Sequence, residues 1–466
     1  MKKKIYPSSL PLLIACLVLS ACTTLVPTVP VSMEVPAAFK ESSLWKATRA
    51  DAAAVPDDWW VLFNDNSLND LQGQVLAGNE NLKVSSAQVD VARAALGSAR
   101  ATGSPSVGVT AGSTNSVPPG GISATTANSL AANASWELDL WGRVANSVSG
   151  AQARLQASSA DLAAARWSVQ ALLTQTYFSL RNAEAQGLLL QRAVAAYQRS
   201  LELTQNRYAG GIASAADVAQ ATTQLRSTQA QLIESQSSRA QLEHAIATLL
   251  GKPAAGFSLP RTAMLPAAPP VPLQLPSELM QRRPDIAAAS FRVTAANAQI
   301  GVAQSAFFPA FTLSASAGFK GSNLLELTSA PNLFWSLGPA LALAVFDGGA
   351  RKATEESARA SAAQATASYR QTVLTALQEV EDNLVSTASL EEQIVLQTDA
   401  FTAAERNLEI TNNQYKAGTV SYLNVVTAQA TALASERALL DVRNRRLAAV
   451  AVLLKNLGGR WNSLGQ

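Results

Sequence analysis

The chain has 466 residues, of which 48% are hydrophobic but only 6% aromatic and 15% charged, so much of the apolar share is alanine. Alanine favours helices that pack closely rather than a thick hydrophobic core. One histidine and two cysteines are too few for a Cys/His metal cluster, and the sequence has no P-loop motif. We therefore predict that the protein is not an enzyme, with no catalytic residue, metal site or bound cofactor.

The N-terminus has the layout of a signal peptide, because three lysines precede an apolar run from Leu10 to Ala21. This run is shorter than the about 20 apolar residues that a membrane-spanning helix needs. It ends in Leu-Ser-Ala-Cys, which resembles a bacterial lipobox. We predict that residues 1–21 are removed and that Cys22 carries a covalent lipid such as palmitate. The alternative is a plain signal peptide followed by an incidental cysteine.

The leader also affects which partners are expected. Its removal takes away three lysines and leaves 33 basic against 33 acidic residues. No concentrated basic face is predicted, so nucleic acid is not an expected partner. Thr23 follows the cysteine, whereas the usual signal for retention in the inner membrane is an aspartate there. The lipobox resemblance thus implies sorting to the outer membrane of a Gram-negative bacterium.

The segment after the cysteine, residues 22–60, is spotted with prolines and has no period, so we predict an extended, lipidated tether. A helical pattern then runs from Leu68 to about Ala101. It ends at the sequence Gly-Ser-Pro, where a period of two residues begins.

This alternation of apolar and polar residues predicts four β-strands, two in each half of the chain. The first two form a hairpin at about 104–140, and the others lie at about 310–320 and 333–346. Each strand has about ten residues, which is the length of a tilted transmembrane strand. A soluble antiparallel sheet with one wet face has the same pattern.

We favour membrane strands over a soluble sheet for two reasons. The leader is that of a lipoprotein, and three tryptophans are placed where aromatic residues commonly lie at a membrane interface. These are Trp136, Trp141 and Trp335.

Long helices are predicted between the strand pairs. Residues of about 142–207 contain no proline and are long enough for one helix of about 100 Å. A shorter helix returns over 214–250, and together with the helix that starts at Leu68 it matches the length of the long one. We infer a layer in which each long helix packs against two short helices laid end to end.

The turn between the long helix and the returning helix occurs twice, at positions 207 residues apart. Each copy predicts a glycine turn that starts a helix, and the helix is ended by a second glycine, Gly251 or Gly458. The paired residues are Tyr208 and Tyr415, Gly211 and Gly418, and Asp217 and Asn424.

The duplication defines the predicted organisation of the chain. A proline-rich linker separates two repeats of one plan: helix, two strands, long helix, tip, returning helix. The second repeat has its long helix at about 350–414, its tip at 415–420 and its returning helix at 421–457, and the first has its tip at 208–213. The segments are the first repeat 61–251, the linker 252–276, the second repeat 277–458 and a C-terminal tail 459–466.

Two interpretations of the tip residues stay open. Ser214 and Asp217 have the spacing of a capping box, so Asp217 either caps its helix only or also takes part in a gate or an adaptor contact. Asn424 would cap the second returning helix without charge. Tyr208 and Tyr415 either pack the turns or form hydrogen bonds across neighbouring hairpins.

Several motifs in order give the chain a resemblance to a known family. They are the lipobox, Trp59-Trp60 with Phe63, WELDLWGR at 136–143, RYAGGIASAADV at 207–218, RRPDI at 282–286, FDGGAR at 346–351 and YKAGTVSYLNVV at 415–426. The chain resembles the TolC-type outer-membrane efflux factors, in particular the lipoprotein branch that serves resistance-nodulation-division pumps. The resemblance covers residues 22 to about 461.

This resemblance implies a mixed fold: a membrane β-barrel of twelve strands, closed by a homotrimer, that continues into a long α-helical barrel in the periplasm. It also implies a passive exit duct for small molecules, fed by an inner-membrane pump through a periplasmic adaptor, with the two tips at the distal end as gate or adaptor contact. The family often carries an acidic ring past the second tip, but here those positions are Asn424 and Thr427.

The sequence also fits two other functions. The same architecture serves type I protein secretion, and we keep an outer-membrane channel for secreted proteins as the alternative. A third possibility is a structural periplasmic lipoprotein whose strands form a soluble sheet.

Overall fold

The computed structural model describes residues 36–41, 56–117, 119–120, 123–262, 265–271 and 282–457. The predicted signal peptide, Cys22, Gly458 and the tail 459–466 lie outside the described residues. The predicted tether and linker are described only in part.

Within the described ranges the chain forms seven α-helices and four β-strands. The helices are α1 (Asn66–Gly78), α2 (Glu80–Ala101), α3 (Arg143–Ala209), α4 (Ala215–Leu249), α5 (Pro284–Ser305), α6 (Ala350–Lys416) and α7 (Tyr422–Leu457). The strands are β1 (Ser106–Ser116), β2 (Thr125–Leu138), β3 (Ala310–Gly321) and β4 (Leu333–Ala342).

The first predicted helix, from Leu68 to Ala101, is wrong as a single element, because the chain breaks it into α1 and α2 at Asn79. Asn79 has an extended backbone, and its side chain donates to the carbonyl of Leu249 (2.7 Å) and accepts from the amide of Leu82 (3.0 Å). One asparagine thus bonds to the C-terminal end of α4 and the N-terminal end of α2. The predicted end-to-end arrangement is therefore confirmed for α2 and α4, although α2 contributes Glu80–Ala101 and not the whole predicted stretch 68–101.

Close backbone packing at the same junction requires glycine. A Cβ on Gly78 would lie 2.3 Å from the carbonyl oxygen of Leu250, and a Cβ on Gly251 would lie 2.1 Å from the carbonyl oxygen of Gly78. Gly251 also has a φ of +68°, which strains any residue with a side chain. The second glycine of the first repeat therefore both ends a helix and lets two backbones touch.

The long helices α3 and α6 have 67 residues each, which corresponds to about 100 Å. They extend slightly beyond the predicted ends, to Ala209 and Lys416. None of the helices in the described part of the chain combines the length and hydrophobicity needed to cross a membrane.

The four strands form one antiparallel sheet in the order β1-β2-β3-β4. The predicted end of the last strand at 346 is wrong: β4 stops at Ala342, where its pairing with Ala310 at the start of β3 runs out. The register aligns the apolar positions of all four strands in rows. Three rows, given from β1 to β4, are Val107, Ala134, Ala315 and Leu337; Val109, Ala132, Ala317 and Trp335; and Ala111, Leu130, Phe319 and Leu333.

Contacts divide the chain into two compact units. One combines Ala87–Ser159 with Ala287–Gln371 and contains the sheet. The other combines Glu34–Ser86, Ala160–Ile286 and Thr372–Gln466. Each unit draws on both sequence repeats, since the long helices pass from one unit to the other.

Part of the predicted tether packs on the second unit. Phe39 is buried in its main hydrophobic cluster. Glu381 on α6 accepts hydrogen bonds from the backbone amides of Lys40 (2.7 Å) and Glu41 (3.1 Å). The segment around Phe39 is therefore held on α6. The sequence did not predict this contact, because the segment has no period.

Candidate functional site

One face of the sheet is apolar and exposed. Its rows hold the alternating residues singled out in the sequence, and Trp335 at the centre of β4 is 76% exposed. Leu337 on the same strand and Val107 and Val109 on β1, at the opposite edge of the sheet, are also exposed. A large contiguous apolar face on the outside of a protein marks a surface that lipid or another chain covers.

The three predicted interface tryptophans have different surroundings. Trp136 is partly exposed and its Nε1 donates to the carbonyl of Gly103 at 3.0 Å. Trp141 lies past the end of β2, where it stacks on Phe308 at 4.9 Å and donates to the carbonyl of Pro309 at 2.7 Å. Of the three, Trp335 is the one that projects freely from the apolar face.

The first tip begins α4 with a complete capping box. The Ser214 side chain accepts from the amide of Asp217, and the Asp217 carboxylate accepts from the amide and the hydroxyl of Ser214. Gly211, three residues earlier, has a φ of +71°. The predicted cap is confirmed, and it occupies one of the two oxygens of Asp217.

The second tip is built differently. Gly418 has a φ of +78°, as its counterpart does, but the Ser421 hydroxyl donates to the side-chain oxygen of Asn424 at 2.9 Å. Asn424 is exposed and carries no charge. The two tips are therefore not equivalent in charge or in capping.

The two tip tyrosines are also not equivalent. Tyr208 is 51% exposed, whereas Tyr415 is only 6% exposed and packs edge-on against Tyr422, with ring centres 5.4 Å apart. Tyr415 belongs to a buried cluster to which α3, α4, α6 and α7 all contribute. The cluster is formed by Tyr197, Leu201, Ala221, Leu225, Tyr415, Tyr422 and Val425.

Sequence reasoning gave no role to Arg207, the residue before Tyr208. Its guanidinium lies over the Tyr415 ring and donates to the Tyr415 carbonyl at 3.2 Å. In the second copy the equivalent residue is Gln414. This difference between the copies is the signal that could have found it.

A second group that sequence reasoning missed is a buried ionic cluster of the first repeat. Glu184 pairs with Arg181 (2.8 Å) and Arg239 (3.2 Å), and Arg239 also pairs with Glu243 (2.5 Å). Burial alone would lower the pKa of Arg181, but hydrogen bonds to Glu184 and Tyr177 raise it above its ordinary value. The cluster contains two arginines and two glutamates, so its formal charges balance.

This cluster binds the start of the linker through its backbone. Glu243 accepts from the amide of Leu259 (2.7 Å), whose carbonyl accepts from Arg239 (2.8 Å). Arg181 donates to the carbonyl of Pro260, and Glu184 accepts from the amide of Thr262. We call residues 259–262 the clamped linker.

The described residues include no group of three or more histidine, cysteine, aspartate or glutamate side chains placed to hold a metal ion. In the ionic cluster of the first repeat, two arginines balance two glutamates. Their geometry serves to join chain segments.

The chain matches one protein family over most of its length. The family model described as outer membrane efflux protein matches residues 71–252 and 275–459. The chain belongs to this family. Outer membrane protein OprJ of Pseudomonas aeruginosa is 30% identical over 428 residues, with 89% of each chain covered. The probable efflux pump outer membrane protein TtgC of Pseudomonas putida is 29% identical, covering 97% of this chain and 96% of that protein.

Solved structures of this family have the same fold. The outer-membrane channel OprN superposes with a TM-score of 0.85 at 29% identity, covering 93% of this chain and 99% of that chain. The MtrE outer membrane channel of Neisseria gonorrhoeae, solved in its open state, gives 0.82 at 27% identity, with 94% and 98% covered. The predicted fold class, a membrane β-barrel that continues into a long α-helical tunnel, is confirmed. This outer membrane efflux protein acts in the outer membrane as the exit component of an efflux system.

Proposed function

We propose that three copies of this outer membrane efflux protein form one passive exit duct. The observation that carries the proposal is the four-stranded sheet, in which β1 and β4 each pair with one strand only within the described chain. Four strands do not close a barrel, whereas bacterial barrels start at about eight. Three copies supply twelve strands, and the exposed apolar rows then face the lipid of the outer membrane.

The proposed cargo is small molecules or ions. Relatives are named as antibiotic, toluene and cation efflux proteins, and all of them match most of this chain. The sequence has no P-loop for nucleotide hydrolysis, so we infer that the chain is not an enzyme. An inner-membrane pump of the resistance-nodulation-division type would supply the energy and deliver cargo through a periplasmic adaptor.

The tips are the proposed gate and adaptor contact. Support comes from the buried cluster that joins both tips within one chain, because such a cluster holds the helix ends in one arrangement. Tyr208 and Asp217 are accessible polar groups at the first tip, and Asn424 is one at the second. Gly211 and Gly418 allow the turns. Tyr415, being buried, serves the closed packing and not the adaptor contact.

Lipidation of Cys22 remains a proposal on the lipobox sequence. Its test is the intact mass of the purified protein, in which a Cys22→Ser variant should lack the lipid. We expect the variant to keep part of its oligomer, because barrel strands alone hold it in the membrane. Complete loss of the oligomer would contradict this view of the lipid as a secondary anchor.

Ion conductance of the purified protein in planar lipid bilayers tests the duct itself. We expect discrete channels whose conductance rises when tip contacts are removed. An oligomer that stays silent even with loosened tips would exclude a duct. A deletion strain separates the alternative: raised drug susceptibility supports efflux, whereas loss of a secreted protein at unchanged susceptibility supports type I secretion.

A further inference from the structure

The ionic cluster of the first repeat has a depleted counterpart in the second. Glu184 and Arg239 correspond to Glu391 and Arg446, each 207 residues later. The pair is kept, with Arg446 donating to Glu391 at 3.4 Å. The outer members are lost, because Arg181 corresponds to Ala388 and Glu243 corresponds to Val450.

A groove of about 470 Å³ lies beside the second pair. It is bounded by α6, α7 and the linker, and its apolar wall includes Ile394, Leu440 and Leu447. The linker contributes the uncharged stretch 265–268. Arg443 and Arg446 both line it, and its lining includes no carboxylate. The corresponding space in the first repeat, beside Arg239, has about 250 Å³.

The charges of the two sites differ by one. The first cluster is balanced, with two arginines and two glutamates. In the second site Arg443 replaces Gln236, so within the described residues of this site Arg443 and Arg446 are accompanied by one carboxylate, that of Glu391. Arg443 makes no side-chain hydrogen bond or ion pair within the described residues, and the buried Nε of Arg446 has no partner among them. The unpartnered Nε of Arg446 is the costly donor because it is buried, whereas Arg443 is exposed to solvent. Both cations would attract an occupant of the groove that carries one negative charge.

The first site also indicates what shape of molecule would fit the groove of the second repeat. There the occupant is the clamped linker, an extended proline-containing stretch whose Leu259 carbonyl accepts from Arg239. We propose that the groove of the second repeat binds an extended peptide segment of a periplasmic partner protein, with a carboxylate that pairs with Arg443 and Arg446 beside small apolar side chains. The carboxylate takes the place that the chain's own Glu243 fills in the first repeat.

Fluorescence anisotropy with the purified full-length protein in detergent tests this proposal. The probe is a fluorescein-labelled hexapeptide with the sequence of residues 257–262 carrying Leu259→Glu and Arg261→Ala. Its twin carries Leu259→Gln instead of the glutamate. We expect the acidic peptide to bind about tenfold more tightly than its twin, in a manner weakened by salt. Equal affinities, or no binding of either peptide, would overturn the proposal.

Arginine variants locate the binding. Arg443→Gln removes no contact within the described chain and should weaken the acidic peptide by about tenfold, as should Arg446→Gln if it folds. Arg445→Gln, on the same helix but outside the groove, is the matched control and should change affinity less than about twofold. An effect of Arg445→Gln equal to that of Arg443→Gln would mean general attraction to a basic surface and would reject the groove.

Crosslinking separates a partner from the chain itself. A photoreactive benzoylphenylalanine in place of Leu440 should label the bound acidic peptide. Crosslinks only to other residues of the same protein, undiminished by excess peptide, would show that the chain or a second copy fills the groove, and would refute the proposal.

Discussion

The guanidinium carbon of Arg207 lies 4.7 Å from the centre of the Tyr415 ring, and one of its nitrogens donates to the Tyr415 carbonyl. Arg207 is in the last turn of α3 and Tyr415 in the last turn of α6. The final carbonyls of a helix lack partners within the helix. The guanidinium of Arg207, at the end of α3, therefore donates to a carbonyl at the end of α6. This contact joins the two tips within one chain, and only the first repeat supplies the arginine.

Replacing Arg207 should loosen the tips. Arg207→Gln removes a cation–π contact and a charged hydrogen bond, together worth about 1–2 kcal/mol, which raises the open fraction by roughly 5- to 30-fold. Single-channel conductance in planar bilayers measures this. Arg226→Gln is the control, because Arg226 is exposed on α4 and its one side-chain hydrogen bond within the described ranges is to Gln229. Equal conductance of the two variants would contradict a closing role for Arg207.

At the tips, the sequence predicts the turns and the helix cap but not which tyrosine is buried. The glycine turns and the Ser214–Asp217 cap depend on residues within one turn of helix, so a short pattern predicts them. The burial of Tyr415 depends on how the second hairpin packs against the first, which lies 207 residues away in sequence. Tyr208 and Tyr415 look alike in sequence and differ only in that packing.

Asp217 and Asn424 provide a test of charge at the tips. We expect Asp217→Ala to weaken pump-dependent drug resistance more than Asn424→Ala, because only Asp217 is charged. The alanine also removes the Asp217 half of the capping box, at up to about 1 kcal/mol, whereas Ser214 still accepts from the backbone amide of residue 217. Asp217→Asn separates the two effects, since an amide oxygen still accepts from Ser214. Minimum inhibitory concentrations decide it: equal losses for Asp217→Ala and Asn424→Ala would show that the charge is irrelevant.

The duplicated glutamates should differ strongly in their effect on stability. Glu184→Gln leaves Arg181 and Arg239 underpaired in a site where the glutamate is 4% exposed, and removing one member of a buried pair costs about 3–5 kcal/mol. Glu391→Gln affects a pair in which the glutamate is 39% exposed, so about 0–1 kcal/mol is expected. Thermal unfolding in detergent compares them. Similar losses would show that the first cluster is not specially stabilising.

Sequence patterns do not predict the contacts of the ionic cluster in the first repeat. The duplication places Arg239 and Arg446 at equivalent positions of the two returning helices, 207 residues apart. It does not show that Arg239 binds the linker, because that contact depends on where a proline-rich segment without a period crosses the helix. The counterparts of Arg181 and Glu243, Ala388 and Val450, would have revealed the asymmetry only once the contacts were known.

Acid should remove the contribution that Asp285, at the start of α5, makes to the free energy of unfolding. Burial alone would raise its pKa, but hydrogen bonds and charge from Arg283 lower it below the ordinary value of 3.8. A lowered folded pKa means that the stabilisation is complete above about pH 4 and is lost as the pH falls through the folded value. Asp285 is 37% exposed, so solvent screening limits the effect to about 1 kcal/mol.

The check on Asp285 is thermal unfolding as a function of pH. Asp285→Asn should be less stable than the parent protein at neutral pH, and the two should converge in strong acid. A difference that stays constant with pH would assign the effect to packing instead of the Arg283–Asp285 ion pair.

A pair of glycines on one face of the sheet tests the strand packing on which the barrel depends. A Cβ on Gly318 would lie 2.1 Å from the carbonyl oxygen of Leu130 and 2.6 Å from the Cα of Ala131. Both are backbone atoms of the paired strand, so β2 and β3 would have to separate. Gly338 on β4 has open space around its Cβ position and is the matched control.

We expect Gly318→Ala to cost about 1–3 kcal/mol, the usual range for overpacking, and Gly338→Ala to be nearly neutral. Both glycines alternate with the apolar rows, so neither change touches the exposed apolar face. The yield of heat-resistant oligomer from membranes and its melting temperature measure the effect. The nearest atoms to the new Cβ belong to the backbone of β2, so no flexible side chain can move away to make room for it. A normal yield and melting temperature for Gly318→Ala would therefore mean that β2 and β3 are not paired in this register.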